Sequence, residues 1–256
     1  MGVWAKLLIG LTLILATPVR ASSPFADWAA VVVAGDWHAH SGGPSEAFDN
    51  ARRDVSHELA RIGFAAANTR QFSVRPERYK DVGSAKSEPK AIYEALVDLT
   101  SKAQGGCLVY LSSHGAPTGV VVDESILPPG ILAGMLDRTC KDRPTVVVIS
   151  ACFSGVFVPY LATANRMVLT AARRDRTSFG CGEADKYPYF DDCFLQASPL
   201  ARDFAGLATA VQACVAKREA KEGMTPPSEP QVFIGAQLRP ILPLFMFPPI
   251  APPKGS

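Results

Sequence analysis

Apolar positions follow two patterns along the chain, short unbroken runs and stripes spaced three or four residues apart. Ala29 to Ala34, Cys107 to Leu111, Thr145 to Ile149 and Met167 to Thr170 are unbroken runs rich in valine, leucine and isoleucine. Runs of this kind belong to strands buried on both faces of a sheet. Between them lie stripes of helical period. One runs from Glu46 to Ile62 through Ala47, Ala51, Val55 and Leu59, and Gly63 ends it. Others run from Pro89 to Ala103, from Pro129 to Cys140 and from Leu200 to Lys221. A weaker strand pattern spans Phe64 to Phe72, and Gln231 to Ile234 offers a last strand. Strands separated by helix-length segments predict an α/β fold with a mainly parallel sheet and right-handed crossovers.

The two ends of the chain read differently. Met1 to Lys6 carries one positive side chain, Leu7 to Ala16 is apolar apart from Gly10 and Thr12, and Val19-Arg20-Ala21 places small residues at a cleavage site. That is the layout of a signal peptide over residues 1–21. Its apolar run is shorter than the ~20 residues of a spanning helix, so no stable membrane span is expected. The chain is therefore expected to be exported, periplasmic or secreted. Residues 22–238 make one domain, and 239–256 a proline-rich tail, loose from Pro248 onward.

A formal net charge of +2, with no run of Lys or Arg, argues against a nucleic-acid partner. The six cysteines form no C-x-x-C pair, which excludes the usual structural zinc sites. Export permits disulfides. Cys181 with Cys193 is the pairing expected first, because both flank one loop. Asp36, His38 and His40 are too few ligands for a metal, and no metal or cofactor is expected.

Two of the buried runs end in reactive residues. Leu111 leads into His114-Gly115, and Ile149 leads into Cys152. In a parallel sheet, sites form at the carboxyl ends of strands. An imidazole beside a thiol takes its proton and stabilises the thiolate, then protonates a leaving amine. Gly115, lacking a side chain, lets its N–H approach a substrate carbonyl and form an oxyanion hole with the Cys152 N–H. Taken alone, a cysteine after an apolar strand is more often a small core residue.

Ser112-Ser113-His114-Gly115 and Ser150-Ala151-Cys152-Phe153-Ser154-Gly155, each after an apolar strand, resemble the two catalytic signatures of the legumain family of cysteine peptidases. Three further segments resemble that family in order: Asn50-Ala51-Arg52-Arg53-Asp54, the stretch from Thr170 through Ser178-Phe179, and Tyr189-Phe190-Asp191-Asp192. The resemblance implies a caspase-like three-layer sandwich, a central sheet with helices on both sides. It implies a thiol endopeptidase that cleaves peptide or protein substrates after Asn or Asp. His114 and Cys152 would be the dyad and Asn50 an orienter of the His114 ring. Arg52, Ser150, Ser178 and Asp192 would line the pocket for the residue before the scissile bond. An arginine donor and an aspartate acceptor can read the two ends of a carboxamide separately. Two positions depart from the family pattern. Ser150 stands where an acidic residue is usual, and Asp191 stands where a glycine precedes the pocket aspartate, which leaves Asp191 and Asp192 as alternatives. The same acyl-enzyme would also serve a transpeptidase or ligase. A non-catalytic interaction protein is the remaining class.

Overall fold

A computed structural model describes residues 23–80 and 83–249; the expected signal peptide and the final residues of the tail lie outside them. The elements are β1 Trp28–Ala34, α1 Ala47–Ile62, β2 Thr69–Ser73, β3 Ala85–Lys86, α2 Pro89–Lys102 and β4 Gly106–Ser112. Then follow β5 Gly115–Ala116, β6 Gly119–Val122, β7 Ser125–Leu127, α3 Pro129–Thr139, β8 Thr145–Ser150 and α4 Val158–Leu161. β9 Arg166–Thr170, α5 Tyr189–Ala197, α6 Phe204–Glu222 and β10 Gln231–Ile234 complete the set.

Seven strands form one sheet in the order β10-β9-β8-β4-β1-β2-β3, parallel except for β10. The valine-rich runs occupy its centre, and alternate residues go to opposite faces. Ala30, Val32, Leu108, Tyr110, Val146 and Val148 meet α1, α5 and α6 on one face. Val31, Val33, Val109, Leu111, Val147 and Ile149 meet α2, α3 and α4 on the other. Each such side chain taken from water contributes about 1.5–3 kcal/mol. This is the three-layer sandwich expected from the sequence.

Helix ends follow local chemistry. Gly63, at φ +110°, closes α1 with its N–H on Leu59 and Ala60. The Asp203 side chain accepts from the Gly206 N–H at the start of α6. Two features lie outside the sequence expectations. The start of the predicted Phe64 strand is a 3₁₀ turn, Ala66–Asn68, and pairing with β1 begins only at Thr69. β5, β6 and β7 form a small antiparallel sheet directly after His114.

The cysteine pairing differs from the expected one. Cys107 at the start of β4 is bonded to Cys140 at the end of α3, and Cys193 on α5 to Cys214 on α6. Cys193 sits on the buried face of α5, with its Cα 5.7 Å from that of Cys214. Cys181 remains free, as does Cys152. Part of the expected tail packs onto the body: Leu242 and Phe247 are buried, and Phe25 stands 5.8 Å from Phe247 and 6.0 Å from Phe245, ring centre to ring centre. Among the described residues no helix is long and apolar enough to cross a membrane.

Candidate active site

β4 and β8 are hydrogen-bonded neighbours in which Ser112 pairs with Ser150. Two residues beyond each partner stand His114 and Cys152, so parallel pairing delivers both to the same edge of the sheet. The Ser113 N–H donates to Ser150 O at 3.0 Å, extending the tie past the strands. Gly115 then touches the loop at Cys152: a Cβ there would lie 2.1 Å from Cys152 O. Only glycine permits that approach. Phe153 turns the chain at φ +57°, a left-handed conformation unusual for a bulky residue. Its N–H donates to Arg176 O at 2.8 Å.

The half-buried His114 ring has an oriented environment. Nε2 lies 3.0 Å from His38 O, and the ring meets Phe48 edge-on at 5.0 Å. A carbonyl oxygen only accepts, so Nε2 carries the proton and the Nδ1 lone pair is free. The His38 carbonyl is placed by Asp36, whose Oδ1 accepts from the Trp37 N–H at 2.6 Å and the His38 N–H at 3.0 Å. It also accepts from His38 Nδ1 at 2.7 Å. Asn50, expected to orient His114, instead donates to Lys186 O at 3.1 Å. The backbone carbonyl of His38 takes that place. An Asp two residues ahead of the residue it fixes is an Asx-type signal readable in sequence.

Cys152 Sγ accepts from the Ser178 N–H at 3.3 Å and lies 3.6 Å from Ser178 Oγ. No hydrogen bond joins Sγ to the His114 ring among the described residues. Catalytic contacts of this kind often tighten only around substrate. The free Cys181 thiol follows on the same loop. Burial pushes it up to about 11, and the neighbouring Cys152 adds to the rise.

The expected pocket residues separate. Ser178 is at the sulfur. Arg52 is fully buried on α1, its Nε on Asp49 Oδ1 at 2.9 Å, its Nη1 on Gln71 and its guanidinium 4.9 Å from the Tyr79 ring centre. Asp192 pairs with Arg218 of α6 at 2.6 Å. Of the two alternatives it is Asp191 that reaches the strand ends, fully buried, accepting from Tyr110, Ser112 and Ser150. Burial raises its carboxyl to about 6; the three hydroxyls pull it back down, and Asp192 pushes it up. Ser150 is thus turned under the edge toward Asp191. Helix α5 brings Asp191 there because Tyr189, Phe190, Cys193, Phe194 and Ala197 seat one of its faces in the core.

The model of the Peptidase C13 family matches residues 68–213, more than half of the chain. The chain belongs to the Peptidase C13 family. As a C13 protein it is a cysteine-type peptidase, and its substrates are proteins or peptides. The matched range contains His114, Cys152, Ser178 and Asp191 and leaves Asn50 and Arg52 outside. Among solved structures, caspase-1 from Spodoptera frugiperda is similar, with a TM-score of 0.59 at 15% identity, over 86% of this chain and 94% of that one. At that identity the likeness shows the caspase-like fold. No curated protein sequence matches the chain.

Proposed function

We propose that this C13 peptidase is an endopeptidase whose nucleophile is Cys152 and whose acid and base is His114. One observation carries the proposal: Ser112 and Ser150 are ladder partners, and a histidine and a free cysteine follow each at the same offset. His114 Nδ1, left free by the Nε2 bond to His38 O, takes the thiol proton. The thiolate adds to the scissile carbonyl, and the oxyanion is met by the N–H groups of Gly115 and Cys152. Collapse of that adduct breaks the C–N bond, and the imidazolium protonates the departing amine. Water, activated by the same imidazole, then releases the acyl group.

A preference for Asn or Asp before the scissile bond rests on the legumain resemblance. Ser178, against the sulfur, supports a polar pocket, since its hydroxyl both donates to and accepts from a carboxamide. Arg52, fully buried, and Asp192, paired with Arg218, give the preference no support. Export remains part of the proposal, with removal of the first ~21 residues. Two disulfides in one domain favour an oxidising compartment.

Incubating the purified chain with a mixed peptide library and reading products by mass tests both activity and preference. Cys152→Ala and His114→Ala are each expected to lose several orders of magnitude in kcat with the fold intact. Near-normal turnover by Cys152→Ala would remove the proposal. Joined rather than cleaved peptides would make the enzyme a ligase on the same dyad. Mass spectrometry of the natural protein reads the processing site.

A further inference from the structure

Asp191 is a buried ionisable group that the proposed mechanism leaves unused. Asp191 lies at full burial beneath the ends of β4 and β8, and its Oδ2 accepts from Ser112 Oγ and Ser150 Oγ, both at 2.8 Å. Oδ1 accepts from the Tyr110 hydroxyl. The donors come from two neighbouring strands and the acceptor from α5, across the layer. Ser112 and Ser150 are each other's ladder partners, and each stands two residues before His114 or Cys152. We propose that Asp191 is a positioning residue: it ties the ends of these two strands together and so sets the distance between His114 and Cys152. The proposal rests on the reading that these two residues form the dyad.

The chemistry of the location favours that role over simple core filling. Among the described residues neither Asp191 oxygen pairs with a cation, and the neighbouring Asp192, itself held by Arg218, adds like charge. An uncompensated buried carboxylate costs stability, and apolar side chains of similar volume fill such a place at lower cost. What a carboxylate supplies that they do not is one oxygen able to accept two hydroxyls at once, one from each strand. The backbone ladder fixes the register of β4 on β8, yet it ends at Ser112 and Ser150. The Asp191 bridge joins the side chains of that last pair, and one residue further the Ser113 N–H donates to Ser150 O. A displacement of about 1 Å between catalytic groups is enough to cost a hundredfold in rate.

The test compares wild type, Asp191→Ala, which removes the acceptor oxygens, and the double variant Ser112→Ala/Ser150→Ala, alone and combined with Asp191→Ala, all in the full chain. Three quantities are read: kcat and KM on peptides with Asn, Asp or Ala before the scissile bond, the rate of Cys152 alkylation by iodoacetamide from pH 5 to 9, and thermal stability. Expected for Asp191→Ala is a fall in kcat of roughly ten- to a hundredfold on every peptide, with KM within about twofold. The alkylation profile moves to higher pH, because a displaced imidazole no longer holds the thiolate. The serine changes add little in the Asp191→Ala background, since all three act through one bridge. An unchanged kcat, or a loss confined to KM on Asn and Asp peptides, overturns the proposal; the second result would make Asp191 a specificity residue. Loss of activity that merely tracks unfolding in all variants also overturns it. Failure of the dyad reading itself appears separately, as turnover that survives Cys152→Ala.

Discussion

Asp36 never touches the sulfur, yet its Oδ1 gathers the Trp37 N–H, the His38 N–H and the His38 ring into one point. The geometry divides the roles at this loop: the His38 carbonyl serves His114, and the His38 imidazole is dispensable. Asp36→Ala is accordingly expected to lower kcat/KM by roughly tenfold, the scale of a loosened general base. Asp36→Asn keeps an acceptor oxygen for the two backbone N–H groups and should retain most activity, and His38→Ala should be close to wild type. Peptide hydrolysis across pH 5 to 9 checks all three; His38→Ala as damaging as Asp36→Ala would assign the role to the ring. The placement of His114, Gly115 and Cys152 at neighbouring strand ends was legible in the sequence because each follows an apolar run; their proposed chemistry came from the family resemblance. The His38 carbonyl was not, because a backbone oxygen has no residue type. Asp191 and Asp192 are adjacent, and only the seating of α5 decides which one turns inward.

Among the elements, the central strands announced themselves through unbroken valine-rich runs, since both faces of each are covered by helices. α5 was hidden by its short length and by a mixed stripe carrying two aspartates, and β5 to β7 are too short to show a period. Disulfides tie helices to partners that sequence spacing did not indicate, because tertiary packing, not loop proximity, brings Cys193 to Cys214. The two bridges close loops of 33 and 21 residues, so chain entropy gives each about 3–4 kcal/mol. Cys107→Ala/Cys140→Ala and Cys193→Ala/Cys214→Ala are each expected to lose stability on that scale in urea unfolding. Peptidase activity at 25 °C should persist in both, because neither pair includes Cys152. A pair whose removal leaves the urea midpoint unmoved would not be bonded in the folded protein.

For the whole molecule, Asp191 makes stability depend on pH in a definite direction. Its carboxyl titrates at about 6 in the fold against 3.8 for an exposed side chain, because burial disfavours the charge. The folded state therefore holds its proton more tightly than the unfolded chain. The stability this gives is complete below about pH 4 and is lost as pH rises through about 6. Asp191→Asn does not titrate, so relative to wild type it should gain up to ~3 kcal/mol between pH 4 and pH 7. Tm measured at unit steps of pH reads the difference, and parallel curves would contradict it. By the start of β1 the aromatic cluster has another consequence. Phe25 leads into the first strand, while Phe204 and Phe247 come from late in the chain, and the three rings pack together. Until Phe247 has been synthesised, a growing chain presents Phe25, Trp28 and Phe64 uncovered, and the core closes only through contacts between distant segments. Nascent forms that stop short of this point carry an open aromatic face, the kind of surface that recruits chaperones or seeds aggregation.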